Sequence, residues 1–202
     1  QVVVMHDEKL ERTTTGFGLI GQYTLKELKE LSAGFYTKFG SKFYKEKIPT
    51  LKEVLKLIEN RQSDIFLLIE IKSHDKDPKY NDRVGGVVYR TVKKDFPQFL
   101  NRVAFISFNV SILEKIKKLD KTAKVGPIFN EMPAAGSLAD QALKLGTDVV
   151  IFSKKLLENP SVFEKTDEVK HFVYTVVPPE FNEMERIPEL YGFATDYADL
   201  VE

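Results

Sequence analysis

The chain has 202 residues, 43% hydrophobic and 30% charged, with 30 acidic and 30 basic side chains and a formal charge of zero. That length holds one sizeable core or two small ones, and without a basic excess neither nucleic acid nor an anionic membrane is expected as the main partner. No run approaches the ~18 apolar residues that cross a bilayer, and zero Cys removes disulfides, thiolate zinc sites and cysteine nucleophiles.

The first residues, Val2-Val3-Val4, already lie inside an apolar run, and no initiator Met precedes them. This predicts a start that is not native and leaves room for a signal peptide; a cytoplasmic location is otherwise expected. The run predicts a strand ending in the titratable residues His6 and Asp7. Gly16-Phe17-Gly18-Leu19-Ile20-Gly21 fits G-x-G-x-x-G as a string, but the helix begins only after Thr24, so it is not a dinucleotide site. Thr24-Leu25-Lys26-Glu27 and Thr50-Leu51-Lys52-Glu53 both fit the capping box, in which a hydroxyl and a carboxylate satisfy orphan N–H groups reciprocally. Leu25, Leu28 and Leu31 give the first helix a core-facing stripe ending near Gly34; Leu51, Val54, Leu55 and Ile58 do the same for the second. Between them, residues 32–49 carry Phe35, Tyr36, Phe39, Phe43 and Tyr44, a polar-aromatic excursion that reads either as a lid or as an ordinary covering loop.

Ile65-Phe66-Leu67-Leu68-Ile69-Glu70-Ile71-Lys72 is the most informative stretch. A strand alternates faces, so Leu68, Glu70 and Lys72 point the same way. A charge inside an apolar strand is expensive unless it is paired or holds a metal. The bland alternative is that Glu70 and Lys72 sit at an exposed strand end and simply pair. Further strands are expected near 103–107, 124–128, 148–152, 171–176 and 192–195, and helices near 80–95, 110–119, 136–145, 155–164 and 180–190. Regular β-then-α alternation means parallel strands with crossover helices, either doubly wound or in a (β/α) barrel; with no glycine-rich phosphate loop the barrel is favoured. His74 lies in a polar turn (Ser73 to Asp77) and reads as a solvated loop residue. His171 precedes its strand at the non-catalytic end and reads as structural, and Asp196 and Asp199 read as turn and cap residues.

Val3-Val4-Met5-His6-Asp7-Glu8, followed by Leu10-Glu11-Arg12-Thr13-Thr14 and the Gly16/Gly18 pair, resembles the signature of glycerophosphodiester phosphodiesterases. The likeness continues through Ile48-Pro49-Thr50-Leu51, Ile69-Glu70-Ile71-Lys72, Ile106-Ser107-Phe108 and Phe193-Ala194-Thr195-Asp196. It implies an α/β fold of the (β/α)8 TIM-barrel type and metal-dependent hydrolysis of small glycerophosphodiesters to glycerol 3-phosphate and an alcohol. On that resemblance His6 matches a catalytic histidine acting as general acid or base. Glu70 matches a carboxylate ligand of a divalent cation, Mg²⁺ or Ca²⁺. Lys72 would contact phosphate or glycerol oxygens as a point charge. Arg12 and the threonines after it would fix the turn.

Two departures matter. The family's His-Arg-Gly strand and its Glu-x-Asp strand, which supply another histidine, an arginine and two metal ligands, have no counterpart here. The expectation is a single barrel domain over residues 1–202 that is N-terminally incomplete by roughly 40–50 residues, about two strands, with 32–49 a small insertion loop beside the site. In addition, Val173-Tyr174-Thr175-Val176-Val177 stands where the family shows Trp-Thr-Val-Asn. Tyr174 therefore becomes the candidate substrate contact on that strand, and head-group preference is left open. Two rival readings remain: a phosphodiester-binding barrel without chemistry, and a related barrel phospholipase. The latter needs apolar rim loops for membrane docking, and none stands out in the sequence.

Overall fold

The computed structural model of the chain describes residues 1–61, 65–74, 77–197 and 200. Asp75 and Lys76 of the polar turn and the cap residue Asp199 lie outside the described residues. The chain divides into two compact units, Gln1–Asp64 and Ile65–Glu202.

In the first unit, helices α1 (Leu25–Glu30), α2 (Tyr36–Phe39) and α3 (Leu51–Asn60) are joined by irregular chain. Both capping boxes form: Thr24 N–H donates to Glu27 Oε2 at 2.7 Å, and Thr50 N–H donates to Glu53 Oε2 at 2.7 Å. Leu10, Leu28 and Ile48 are buried together, with Val3, Met5, Ile20 and Leu31 packed around them. Helix α1 stops at Glu30, short of Gly34, because Leu31 is already extended (φ −68°, ψ 147°). The strand expected at Val2–Asp7 is reduced to one antiparallel bridge, Val3 with Thr50, flanked by Val4 N–H to Pro49 O at 2.8 Å and Leu51 N–H to Val2 O at 3.0 Å. Pro49 has no N–H to extend a ladder, and Thr50 is committed as the cap of α3.

The second unit is one six-stranded sheet: β1 (Leu67–Glu70), β2 (Val103–Ser107), β3 (Val125–Phe129), β4 (Val149–Ser153), β5 (Lys170–Tyr174) and β6 (Leu190–Phe193). Every pairing is parallel and the spatial order is the chain order. A doubly wound sheet reverses its order at a switch point; sequential order with crossover helices is an arc of a (β/α)8 barrel. The helices are α4 (Pro78–Asp95), α5 (Val110–Leu119), α6 (Leu138–Lys144) and α7 (Phe181–Met184). The helix expected over 155–164 is instead two 3₁₀ turns, Lys154–Leu156 and Pro160–Phe163, because Pro160 interrupts the ladder and Asn159 caps the second turn through its side chain. The helix expected over 180–190 is the single turn α7, after which Pro188 leads into β6.

Register fixes the two faces of the sheet. Glu70 pairs with Ile106, Ile106 with Gly126, Ile128 with Ile151, Ile151 with Phe172 and Ser153 with Tyr174. Paired residues on neighbouring strands share a face, so Leu68, Glu70, Ile106, Ile128, Ile151, Phe172 and Tyr174 are on one side. The other side presents Phe105, Val150, Phe152 and Val173 to the helices. There Phe152, Val150 and Val173 are buried with Leu138, Ala139 and Ala142 of α6, and Tyr89 of α4 meets Phe105 edge-on at 5.8 Å. Each such aromatic stabilises the fold by about 2–3 kcal/mol through burial. Helix α4 comes so close to α5 that a Cβ on Gly85 would stand 2.9 Å from the Ile112 carbonyl oxygen.

Candidate active site

Barrel enzymes build their sites at the C-terminal ends of the strands. In the second unit those ends carry Glu70 and Lys72 (β1), Phe108 (β2), Asn130 (β3) and Tyr174 (β5). Glu70 lies on the face away from the helices. The Ile106/Ile128/Ile151 cluster, with Phe172 and Tyr174 packed on it, occupies the same face. The Glu70 carboxylate, about a quarter exposed, accepts from Lys72 Nζ at 2.7 Å, and the ammonium is itself about one-third exposed. The sequence pattern Glu-x-Lys thus gives what two-residue alternation requires, a carboxylate and an ammonium on one side of one strand.

Tyr174 ends β5 on the same face. Its hydroxyl donates to Asn130 Oδ1 at 2.7 Å, with the Phe129 carbonyl a longer acceptor at 3.3 Å. Its ring meets Phe108 edge-on at 6.0 Å. Burial, with the Glu70 charge adding to it, pushes the Tyr174 hydroxyl up to about 12. Tyr174 therefore stays protonated and is a hydrogen-bonding group across the physiological range. The structure thus brings Tyr174 within electrostatic reach of Glu70 and ties β5 to β3 through Asn130. Asn130 carries no motif, but a polar residue directly after an apolar barrel strand is the kind of position where site residues stand. Ser107, buried at the end of β2, donates to the Ile71 carbonyl at 2.8 Å and accepts from Asn109 N–H at 3.1 Å. It fixes the strand end just after Glu70.

The histidine lies in the first unit. His6 Nδ1 stands 2.7 Å from Asp7 Oδ1, and Asp7 is gripped from its other side by Arg12, whose Nε and second guanidinium nitrogen donate at 2.5 and 2.7 Å. The guanidinium also lies over the Phe35 ring at 5.4 Å. The Arg12 hydrogen bonds, followed by that of His6, hold the Asp7 carboxyl well below the usual carboxylate range against the opposing effect of burial. Asp7 is thus a fixed anion that orients the imidazole at Nδ1 and leaves Nε2 outward, and His6 is largely exposed. Sequence reasoning passed over Asp7; its adjacency to His6 and the arginine five residues on were the available signal. Arg12 fixes the turn, as expected, and does so through Asp7.

His171 is fully buried within β5, on the helix-covered face, between Phe152 at 6.3 Å and Phe163 at 6.1 Å. The backbone of His74 is held from both sides by the Asn81 amide, at 2.8 and 2.9 Å. Two cavities of the second unit, about 430 and 370 Å³, sit at the opposite, N-terminal edge of the sheet. In the larger, Lys117 Nζ is spent tying three carbonyls, those of Lys121, Ala123 and Gly146. Neither belongs to the Glu70 site. Among the described residues no group of three or more His, Asp or Glu side chains is placed to hold a metal ion. Glu70 fits a hard cation in kind, as a half-buried carboxylate at a strand end, and supplies one donor of a set.

The glycerophosphoryl diester phosphodiesterase family model matches residues 1–200. A glycerophosphodiester phosphodiesterase of Caldanaerobacter subterraneus is 38% identical over 134 residues, 63% of this chain and 49% of its own length. One from Bacillus subtilis is 29% identical over 150 residues, 71% of this chain and 50% of its own. The crystal structure of an Oleispira antarctica phosphodiesterase in complex with the product sn-glycerol-3-phosphate is similar with a TM-score of 0.80 at 26% identity, over 96% of this chain and 75% of that one. The chain spans about a third to a half of the length of the curated relatives it matches.

Proposed function

Because the chain belongs to the glycerophosphoryl diester phosphodiesterase family, we propose that the whole protein hydrolyses small glycerophosphodiesters to sn-glycerol 3-phosphate and an alcohol. The observation that carries this reading is the half-buried Glu70–Lys72 pair on the helix-free face at the C-terminal end of a parallel strand, with Tyr174 on the same face. A carboxylate and an ammonium side by side there suit a phosphodiester whose anion must be both neutralised and gripped. Lys72 binds a phosphate or glycerol oxygen as a point charge. Tyr174, kept protonated, and the Phe108 ring form a wall for the glycerol or head group. His6, with Asp7 fixing its Nδ1 side, exchanges a proton at Nε2 with the attacking or leaving oxygen in an in-line displacement at phosphorus. Glu70 would hold a divalent cation, Mg²⁺ or Ca²⁺, which when bound offsets the negative charge of the phosphoryl oxygens.

The test is glycerol 3-phosphate release by the natural full-length protein from glycerophosphocholine, glycerophosphoethanolamine and glycerophosphoinositol, with and without chelator. Release from at least one, abolished by chelator and restored by Mg²⁺ or Ca²⁺, is expected. Chelator-insensitive release, or none from any of the three, would overturn the assignment.

A further inference from the structure

The 32–49 excursion is closed at its base and open at its tip. Ala33 N–H donates to Glu46 O at 2.8 Å, and Gly34 lies so tightly against Phe43 that a Cβ there would meet the Phe43 carbonyl carbon at 2.5 Å. Phe35 N–H is anchored on Thr13 O at 3.1 Å. From that closed base residues 36–47 project, and all twelve are exposed. Four of the twelve are aromatic: Tyr36 is 65% exposed, Phe39 43%, Phe43 37% and Tyr44 55%. The rings are ordered, for Phe35 meets Phe39 at 6.0 Å and Phe39 meets Phe43 at 5.3 Å, both edge-on. An ordered aromatic ladder left in water is unusual, because burying each ring would stabilise the fold.

The charge on the same segment says what should cover it. Residues 35–47 carry Lys38, Lys42, Lys45 and Lys47 against the single Glu46, a net +3 in a chain whose total is zero. The ammonium groups of Lys38 and Lys42 fold back over the rings of Phe39 and Phe43, at 5.2 and 5.0 Å. Aromatic rings flanked by lysines on long apolar stems match a membrane interface, where rings sit at head-group depth and ammonium groups reach lipid phosphates. Protein–protein interfaces are also rich in aromatic residues but depleted in lysine, so lysines interspersed among the rings favour a lipid surface over a protein partner.

We infer that residues 36–45 form a peripheral docking surface for anionic phospholipid bilayers. The segment lies on the surface and does not span it. The +3 charge draws the knuckle to anionic head groups, and Tyr36, Phe39, Phe43 and Tyr44 then leave water for the interfacial layer.

Vesicle co-sedimentation of the full chain reads this surface with no turnover involved. Binding to vesicles containing phosphatidylglycerol is expected, with little to pure phosphatidylcholine, and it should weaken on raising salt from about 0.1 to about 0.5 M. The surface double variant Lys42→Glu/Lys45→Glu should bind at least about tenfold more weakly, and Phe39→Ser/Phe43→Ser should lose binding at unchanged circular dichroism. The chain has no Trp, so Tyr44→Trp provides a single reporter whose emission should shift to the blue on vesicles. Absence of binding to phosphatidylglycerol vesicles, binding that none of these variants weakens, or self-association of the chain that Phe39→Ser/Phe43→Ser abolishes in place of vesicle binding, would overturn the proposal.

Discussion

Replacing Asp7 by Asn keeps the size of the side chain and removes its charge. Three contacts converge on that carboxylate: two from the Arg12 guanidinium at 2.5 and 2.7 Å and one from His6 Nδ1 at 2.7 Å. A hydrogen bond to a charged group contributes about 1.5–3 kcal/mol. Water competes for His6, whose side chain is 73% exposed, so the contribution falls to the bottom of that range and below it, about 1–2 kcal/mol. If the imidazole moves a proton in the rate-limiting step, kcat should fall about 5- to 30-fold, at one decade per 1.4 kcal/mol. KM should hold, because neither residue is assigned to substrate binding. The assay is steady-state glycerol 3-phosphate release by the natural full-length protein, with thermal melting to confirm folding. Arg12→Lys, which forfeits the two-point grip on Asp7, should fall in the same direction by less. An Asp7→Asn protein that melts normally and turns over within twofold of wild type would refute the positioning role. Because the Asp7 pKa is depressed in the fold, its contribution is complete above the unfolded carboxyl value of about 3.9 and is lost only as pH falls through the lower folded value.

Tyr174→Phe should raise KM for the preferred diester several-fold through loss of the Asn130 bond, with a smaller effect on kcat, as read by initial rates. Gly85→Ala should cost about 1–3 kcal/mol in urea unfolding, because the new methyl meets the Ile112 backbone and α4 must move off α5. Asp120 accepts from Tyr89, from the Thr122 hydroxyl at 2.6 Å and from Thr122 N–H at 2.9 Å, so Asp120→Ala should lower the urea midpoint by the same measurement. Burial pushes the His171 pKa down, only partly opposed by the backbone of Val169 and Val162, and neither ring nitrogen has a hydrogen bond of good geometry. The folded state therefore refuses a proton that the unfolded chain takes. Stability should be full above the unfolded value of about 6.5 and fall as pH drops below it. Unfolding at pH 7.5 and 5.5 should show this loss in the wild type and less of it in His171→Phe.

The strands were legible where apolar runs were long and uninterrupted. Val103–Ser107 and Val110–Leu119 stand where the pattern put them, since a buried parallel strand and an amphipathic helix leave different periods. The capping boxes were equally legible because they are local. Elements that depend on distant partners were not. Val2–Asp7 has the composition of a strand, but its neighbour Ile48-Pro49-Thr50 can form only one bridge with it. The pattern over 155–164 is helical until Pro160, and tertiary packing settles it as two 3₁₀ turns.

At the site, alternation placed Glu70 and Lys72 on one face from sequence alone, and the register with Ile106 assigns that face away from the helices. Asn130 and Asp7 were not singled out. The role of the first depends on a bond to a residue 44 positions away, and that of the second on side-chain geometry that spacing does not encode. Exposure of the 36–47 knuckle was also invisible to periodicity, since aromatic residues between two helices read equally as a lid or as an ordinary covering loop.

Glu70→Gln tests the reading of this face most directly. It keeps the shape and the hydrogen bond to Lys72 while removing one negative charge. If Glu70 holds a cation that neutralises the phosphate, the variant should fold normally, lose at least about a hundredfold in kcat/KM and need more Mg²⁺ or Ca²⁺ for half-maximal rate. If Glu70 merely pairs with Lys72, a contact worth about 0–1 kcal/mol at this exposure, then rate and cation requirement will stay at wild-type values, and that result would contradict the account.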